Sequence, residues 1–246
     1  MPPLLVLPAT LVGLCLGSFV TTAALRSAHG EQALAGRSHC DGCGVSLGFA
    51  RTTPVLAYVA LRGVCADCGA RIDPLHLAGE VAGGLIVGLA FYIAPCTRVA
   101  PLAALGLLLL ASAVYDAKTR KLPDLLTFAV AALGAVLDAE QSMATLWLGL
   151  VAAAIALVLL EGLRRAFLWA RRKPGLGFGD VKLVAALAVW LGLATPWAVV
   201  LASVLALGLA LRRPSTDGRL AFGPWLAIGA FSAGMIREAH LWPALS

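Results

Sequence analysis

The sequence predicts an all-α, polytopic membrane protein with about eight transmembrane helices and a small cytoplasmic zinc-binding loop domain. Its composition is the first observation: 60% of the 246 residues are hydrophobic and 13% are charged, whereas soluble domains carry about 25% charged residues. The second is a series of eight separate apolar runs. The third is one long polar segment that carries two C-x-x-C pairs.

The eight apolar runs approach the length of about 20 residues that crosses a bilayer as a helix. They cover approximately residues 4–25, 77–94, 99–115, 122–137, 145–163, 181–193, 196–211 and 221–239. A cleaved signal peptide has basic residues before its apolar core. None precedes the first run and Arg26 follows it, so we expect a retained helix there.

The distribution of basic residues predicts the topology. If the segment after the first helix faces the cytoplasm, 17 of the 19 basic residues lie inside and only Arg98 and Arg237 lie outside. Cytoplasmic loops carry an excess of Lys and Arg, so this separation predicts eight spans with both termini outside. The net charge of +6 then reflects topology. No loop has the basic face interleaved with aromatic residues that would indicate nucleic-acid binding.

The polar segment at residues 26–76 is too short for a large core, and domains of that size usually need a staple. Four cysteines provide it, as two C-x-x-C pairs with 21 residues between them: Cys40, Cys43, Cys65 and Cys68. This spacing is typical of zinc, and four thiolates form a closed, structural site. Two disulfides or four free thiols are the alternatives, and a reducing cytoplasm disfavours disulfides.

Two aspartates are predicted at the cytoplasmic edge of the membrane. Asp116 closes the third apolar run, and Asp180 opens the sixth, just after two glycines. Charged groups at membrane depth are costly and usually mark function. Two neighbouring carboxyl groups share a proton, so one acts as a base towards water and the other as an acid towards a carbonyl oxygen. We therefore expect Asp116 and Asp180 to form an aspartic peptidase site. The chain then divides into a first helix at 1–25, a four-cysteine domain at 26–76 and a seven-helix peptidase domain at 77–246.

Other acidic residues have simpler interpretations. Asp124 is more typical of a helix cap, although it is the second candidate for the first aspartate. Glu80 starts the second span and is either a cap or functional. Glu161 is expected to form ion pairs with Arg164 and Arg165.

Two alternatives concern the whole chain. An aspartate such as Asp180 at a helix N-terminus is often only a cap, and the protein would then be a scaffold whose zinc domain binds partners. In the other alternative, a proton-coupled transporter uses Asp116 and Asp180 as proton carriers. Transporter sites tend to lie at the membrane midplane, whereas both aspartates are predicted at one edge, which favours hydrolysis.

Five motifs occur in the order known from one family. They are Gly17-Ser18-Phe19; Gly36-Arg37-Ser38 with the two cysteine pairs; Asp116 with Pro123-Asp124; Gly177-Phe178-Gly179-Asp180-Val181-Lys182; and Phe222-Gly223-Pro224. With them the chain resembles the type IV prepilin peptidases, the leader peptidases and N-methyltransferases of bacterial pilus and type II secretion systems. The resemblance covers nearly the whole chain.

The resemblance implies that Asp116 and Asp180 are the catalytic pair. It implies cleavage of the leader of type IV prepilin or pseudopilin precursors after a glycine, at the cytoplasmic side of the bacterial inner membrane, with the substrate entering from the lipid bilayer. It also implies methylation of the new N-terminus by S-adenosylmethionine. The sequence has no glycine-rich nucleotide fingerprint, so the methyl-donor pocket must come from the cytoplasmic loop and helix ends. Glu80 is the candidate lining residue.

Three positions depart from the family pattern. Val20 stands where the family has Asn, Asp41 where it has Pro, and Leu75-His76-Leu77 where it has Arg-Tyr-Pro. All three lie in the N-terminal third, where the resemblance places methylation. A peptidase without methylation is therefore the alternative to the bifunctional enzyme.

Overall fold

The computed structural model describes residues 5–33, 36–172, 175–212 and 220–245, and these ranges contain helices and turns but no β-strand. The predicted cytoplasmic residues Lys173, Arg213 and Arg219 lie outside the described residues. The helices are α1 (Val6–Ala28), α2 (Leu56–Ala60), α3 (Pro74–Ile93), α4 (Cys96–Thr119), α5 (Asp124–Gln141), α6 (Met143–Arg171), α7 (Phe178–Leu191), α8 (Thr195–Arg212) and α9 (Gly223–Leu245).

Every predicted apolar run coincides with one of the eight longer helices, so the all-α membrane fold is confirmed. Five stretches of the described chain are long and apolar enough to cross a membrane: α1, α3, α4, α6, and α7 together with α8. With 14 residues, α7 is about 21 Å long, less than the roughly 30 Å hydrocarbon layer. The number of eight crossings stays a prediction.

The first helix packs on α3 through glycines. A Cβ atom on Gly13 would lie 2.9 Å from the Cα atom of Gly84, and one on Gly17 would lie 2.9 Å from the Cα atom of Gly83. The two backbones are therefore in direct contact, as small residues allow between membrane helices. The close approach brings the side chains beside these glycines together.

The centre of the bundle is α7, which packs against α5, α6 and α9. From Leu183 onward its side chains are apolar on every face, as is typical of a buried helix. Leu183, Leu187 and Trp190 have almost no exposed surface. In contrast, α6 exposes most of its apolar residues, as expected of a helix that faces lipid. This arrangement puts the beginning of α7, with Asp180, next to the ends of neighbouring helices.

Candidate active site, cysteine cluster and cavity

Asp116 lies in the last turn of α4 and is 5% exposed. Its Oδ2 atom accepts a hydrogen bond of 2.8 Å from the backbone N–H of Gly223, the first residue of α9. A Cβ atom at position 223 would lie 2.8 Å from the same oxygen. The absence of a side chain therefore permits this hydrogen bond. The sequence identified Gly223 only as part of a motif and gave it no role.

Asp180 lies in the first turn of α7 and is partly buried. Its carboxyl group is near enough to that of Asp116 for the two charges to interact. The residue before the helix is again a glycine in close contact, because a Cβ atom on Gly177 would lie 2.9 Å from the Asp180 Oδ2 atom. The structure thus places the two predicted aspartates, from two different helices, at the same end of the bundle.

The lysine that lies two residues after each aspartate has a different partner. Lys182 forms an ion pair with Asp124, and Lys118 forms one with Asp73. Within the described ranges, neither Asp116 nor Asp180 forms an ion pair. Two interacting carboxyl groups without a counter-ion are stable together only when they hold a proton between them.

The loop between α4 and α5 and the start of α5 pack on the first turns of α7. A Cβ atom on Gly179 would lie 3.2 Å from the Leu122 Cβ atom, and the Lys182–Asp124 ion pair joins the same two segments. The prediction that Asp124 is a helix cap is wrong. The N-cap residue of α5 is Pro123, no side chain caps this helix, and the Asp124 side chain is 62% exposed beside Lys182.

The four predicted metal ligands come together. The sulfur atoms of Cys40, Cys43, Cys65 and Cys68 all lie within 4.8 Å of one another, and those of Cys40 and Cys68 are 3.9 Å apart. Four thiolates around one zinc ion, each about 2.3 Å from it, are separated by about 3.8 Å. The cluster could therefore hold a metal ion.

The two C-x-x-C turns have the same backbone hydrogen bonds. The N–H of Cys40 donates to the Val45 carbonyl and the N–H of Gly44 to the Cys40 carbonyl; Cys65, Ala70 and Gly69 repeat this pattern. Gly44 and Gly69, each following the second cysteine of its pair, have φ of 71° and 70°. Glycine adopts this left-handed conformation at no steric cost. The segment therefore contains two copies of one turn facing each other.

The thiols of the cluster differ in acidity. Backbone N–H groups of Cys68 and Asp67 lower the pKa of Cys65 to about 7. The Ala70 backbone lowers the pKa of Cys68, but the neighbouring thiol of Cys43 and burial outweigh this effect and raise the pKa to about 12. Crowded thiols cannot all ionise without a cation, which is the electrostatic situation that a metal ion relieves.

Glu80 lies in the second turn of α3 and is 8% exposed. The N-cap of this helix is Asp73, so Glu80 is not a cap. Its Oε1 atom accepts a hydrogen bond of 2.8 Å from the Ser18 hydroxyl of α1, and its Oε2 atom accepts one of 2.7 Å from the N–H of Val55. Both oxygens of the carboxylate are thus held by neutral donors from two other segments.

The backbone at Val55 is strained. Its φ of 63° and ψ of −50°, with the Leu56 N–H donating to the Pro54 carbonyl at 2.6 Å, define a γ-turn of the rare form with positive φ. A β-branched residue with positive φ is an outlier. The strained turn directs the Val55 N–H at Glu80.

Glu80 borders a cavity of about 160 Å³ between α1, α3 and the cysteine turns, and neither Asp116 nor Asp180 lines it. The wall includes acidic, basic, hydroxyl and aromatic side chains, among them Glu80, Arg71, Ser18, Thr22 and Tyr58. The structure therefore has two separate candidate sites, one at the aspartates and one at Glu80.

The opposite end of the bundle holds a buried cluster of charges. Arg98 donates to Glu238 at 2.9 Å and to the Leu137 carbonyl at 3.1 Å, and Arg237 donates to Asp138 at 2.8 Å. Asp138 is 1% exposed and Glu238 is 3% exposed. We call Arg98, Asp138, Arg237 and Glu238 the far-end cluster.

The far-end cluster contains the only two basic residues outside the predicted cytoplasmic segments. In the sequence, Arg98 and Arg237 were exceptions to the charge pattern, and Asp138 and Glu238 were not considered as their partners. Asp138 and Glu238 each lie near the end of an apolar run, and this position was the signal in the sequence for the two pairings. By contrast, the ion pairs predicted for Glu161 with Arg164 and Arg165 are confirmed.

The fold and the two aspartates define a polytopic membrane protein with a carboxyl pair at one end of its bundle and a four-cysteine loop domain. Residues 11–94 match the bacterial peptidase A24 N-terminal domain, and residues 102–211 match the type IV leader peptidase family. The chain therefore belongs to the type IV leader peptidase family. No solved structure shows a match.

Curated relatives cover most of the chain. A prepilin leader peptidase/N-methyltransferase of Burkholderia pseudomallei is 37% identical over 205 residues, which are 78% of this chain and 65% of the relative, slightly under two thirds of its length. One of Pectobacterium carotovorum is 34% identical over 203 residues, 78% of this chain and 71% of the relative. A type 4 prepilin-like proteins leader peptide-processing enzyme of Escherichia coli is 31% identical over 245 residues, 91% of each chain. The apolar helices and these relatives identify an inner membrane protein.

Proposed function

We propose that this protein is a membrane aspartic endopeptidase that removes the leader from type IV prepilin-like precursors after a glycine and then methylates the new N-terminus. One observation carries the proposal. Asp116 and Asp180 interact at one end of the bundle without a cationic partner in the described chain. The names of the relatives, which join peptidase and methyltransferase, support the same function.

The proposed chemistry follows from a shared proton. The ionised member of the Asp116–Asp180 pair takes a proton from water, which attacks the scissile carbonyl, while the protonated member donates to the carbonyl oxygen. Breakdown of the intermediate releases the leader carboxylate and the new amine. The Gly223 N–H donates to Oδ2 of Asp116 and so orients this carboxyl group. The pair titrates as a unit, so neither residue is assigned a fixed role.

The cavity beside Glu80 is the proposed methyl-donor site. S-adenosylmethionine supplies a methyl group on a positively charged sulfonium. Its sulfonium, carboxylate and adenine are complementary to acidic, basic and aromatic side chains, and Glu80, Arg71 and Tyr58 line this cavity. The residues present therefore fit the methyl donor.

We further propose that the metal of the cysteine cluster is one zinc ion, held by Cys40, Cys43, Cys65 and Cys68. The four-thiolate donor set and the separation of its sulfur atoms support zinc. A closed site of this kind is structural. It would stabilise residues 26–76 as a domain between the first helix at 1–25 and the peptidase domain at 77–246. In the proposed topology, the aspartates lie on the cytoplasmic side and both termini lie outside.

The test of the function uses the purified full chain in detergent with a prepilin precursor. We expect a shortened product whose mass, with S-adenosylmethionine present, is greater by one methyl group. Cleavage without the methyl group under saturating donor would show a peptidase only. No cleavage of any prepilin or pseudopilin precursor would reject the proposed function.

The test of the metal is elemental analysis of freshly purified protein, for which we expect about one zinc per chain. Structural zinc contributes about 10–16 kcal/mol of apparent binding energy in small domains. The double variant Cys43→Ser/Cys68→Ser should therefore lose the metal and expose residues 37–72 to proteolysis while the membrane helices stay folded. Cys15→Ser, which changes a cysteine outside the cluster, is the control. Metal retained by the double variant would contradict the assignment.

A further inference from the structure

We infer that Glu80, held by the Ser18 hydroxyl and the Val55 N–H, recognises the positive charge of the methyl donor, and that Ser18 is its positioning residue. The inference rests on the proposed methyltransferase function and goes beyond it, because it names the feature of the ligand that is recognised. It also gives a role to the Gly17-Ser18-Phe19 motif, which the two aspartates leave unexplained.

The carboxyl group of Glu80 is held at the wall of the cavity by two hydrogen bonds. Glu80 is almost fully buried, and a buried charge is costly unless it is paired or hydrogen-bonded. Its two partners, at 2.8 Å and 2.7 Å, are a hydroxyl and a backbone N–H. Both are neutral, so they orient the carboxylate without neutralising it. A buried, oriented anion at a cavity wall selects a cation.

Two of the basic neighbours in the cavity have partners of their own. Arg51 pairs with Asp67, and Arg26 donates to the Arg37 carbonyl. Within the described residues, no ion pair involves Glu80. The positive sulfonium of a methyl donor is a cation of the kind this site favours, whereas the thioether that remains after methyl transfer is neutral.

The position of Ser18 depends on the glycine contact between α1 and α3. The preceding residue, Gly17, touches the backbone of Gly83, and a Cβ atom at 17 would lie 2.9 Å from the Gly83 Cα atom. Glu80 is one turn before Gly83 on α3. The contact between the two backbones therefore holds the Ser18 hydroxyl within hydrogen-bonding distance of Glu80.

The second donor, the Val55 N–H, belongs to a strained turn, and such strain indicates function. Val55 keeps a γ-turn with positive φ while its N–H points at the carboxylate. Strained residues of this kind persist when the surrounding structure enforces them, and they cluster at functional sites. Two unrelated segments, one under strain, thus converge on a single carboxylate.

The experiment compares ligands that differ in charge at one atom. The dissociation constants of S-adenosylmethionine and S-adenosylhomocysteine are measured by calorimetry on the purified full chain. For the unmodified protein we expect the sulfonium to bind about ten-fold tighter than the thioether. Glu80→Gln should abolish this preference, and Ser18→Ala should lose part of it.

Matched controls separate positioning from structure. Thr22 is a second hydroxyl residue of α1 that lines the same cavity, so Thr22→Ala should keep the preference. Ser18→Thr retains a hydroxyl and should restore most of it. The melting temperature of each variant is measured as well, so that the preference is compared only between folded proteins.

The outcomes that overturn each assignment differ. If both ligands bind the unmodified chain equally well, or if Glu80→Gln keeps the preference for the sulfonium, the inference is wrong while the methyltransferase remains. If Thr22→Ala changes the preference as much as Ser18→Ala, Ser18 has no special role and its assignment is overturned. If neither ligand binds and no methylated product forms, the methyltransferase proposal fails and the inference fails with it.

Discussion

Both ends of the helical bundle carry acidic residues, but these residues have different partners at the two ends. At the far end, Glu238 is paired with Arg98, and Asp138 is paired with Arg237. At the other end, the carboxyl groups of Asp116 and Asp180 are near enough to interact, and the nearby lysines are engaged by Asp124 and Asp73. Paired charges fix the helices relative to one another, whereas we propose that the two aspartates without a counter-ion share a proton that is used in cleavage.

Sequence position alone does not distinguish these two uses. Asp116 and Asp138 each lie near the C-terminal end of an apolar helix, and each is almost fully buried. What separates them is the partner: a backbone N–H for Asp116 and a guanidinium for Asp138. The identity of the group that contacts a buried carboxylate therefore indicates its role better than burial does.

The largest expected effect is at the unpaired end. Asp116→Asn and Asp180→Asn should each lower the rate of cleavage by about 10²–10⁴-fold, the usual contribution of general acid–base catalysis. The folding of the protein should not change, because no ion pair is broken. Single-turnover cleavage and the melting temperature of each variant measure the two quantities.

Asp124→Asn is the control for these variants, because it changes an exposed aspartate in the same region. Its effect on cleavage should be mild. If it alone is inactive, the first aspartate of the pair has been assigned to the wrong residue.

The second effect concerns stability at the far end. Glu238→Gln removes the carboxylate that is paired with the buried Arg98 and should lower the free energy of unfolding by about 3–5 kcal/mol. The double variant Arg98→Met/Glu238→Met should recover much of this loss, because apolar side chains can replace a buried ion pair. We expect denaturation in detergent to show this loss while cleavage per folded molecule stays unchanged, which would distinguish this end from the proposed catalytic end. A loss of cleavage without a loss of stability would contradict the comparison.

A third variant tests the contact that orients Asp116. Gly223→Ala places a Cβ atom 2.8 Å from the Asp116 Oδ2 atom, so the carboxyl group or α9 must shift. A misplacement of about 1 Å can reduce catalysis by about 10²-fold, and we expect a reduction of this order. Gly208→Ala in α8 is the matched control, since a Cβ atom there meets no other atom within 4 Å. Equal cleavage by the two variants would show that the contact has no catalytic importance.

The smallest effect is a dependence of stability on pH at the Asp73–Lys118 pair. Burial tends to raise the pKa of Asp73, but the Lys118 ammonium and the Leu75 N–H outweigh it and lower the pKa below its usual value. A carboxyl group whose pKa is lower in the folded state stabilises the protein above its unfolded pKa of about 3.9. This contribution is lost as the pH falls through the lower, folded value.

Asp73→Asn can still accept the hydrogen bond from Leu75 at the start of α3, so it removes the charge and keeps the cap. The difference between the two proteins should be about 1 kcal/mol or less at neutral pH. It should shrink on acidification, as measured by melting temperatures from about pH 7 to about pH 3, a range that spans the unfolded pKa. If the difference in melting temperature between the two proteins stays constant over this range, the ion pair does not contribute to stability.

Much of this molecule could be predicted from the sequence. Hydropathy located each of the eight long helices, because a continuous apolar run in lipid satisfies its backbone hydrogen bonds within a helix. The spacing of Cys40, Cys43, Cys65 and Cys68 predicted their convergence, since each pair is set by one local turn. Asp116 ends one apolar run and Asp180 begins another. Because successive runs alternate in direction, both residues could be placed at the same end of the bundle.

The remaining features depend on contacts between segments far apart in sequence. Gly223 is 107 residues from Asp116, and nothing local indicates that its N–H is a partner. The pairing of Arg98 with Glu238 spans 140 residues. Asp124 was expected to cap α5, but Lys182 from another helix binds its carboxylate. Hydropathy and spacing do not report which distant side chain a polar group will meet.

The γ-turn at Val55 has a consequence for protein engineering. A residue held in such a conformation costs about 1–3 kcal/mol, and glycine adopts positive φ without a steric penalty. A search for thermostable variants would therefore be expected to select Val55→Gly. The heat resistance gained in this way would come with a looser segment beside Glu80, so stability and the proposed methyl transfer would be selected in opposite directions at this one position.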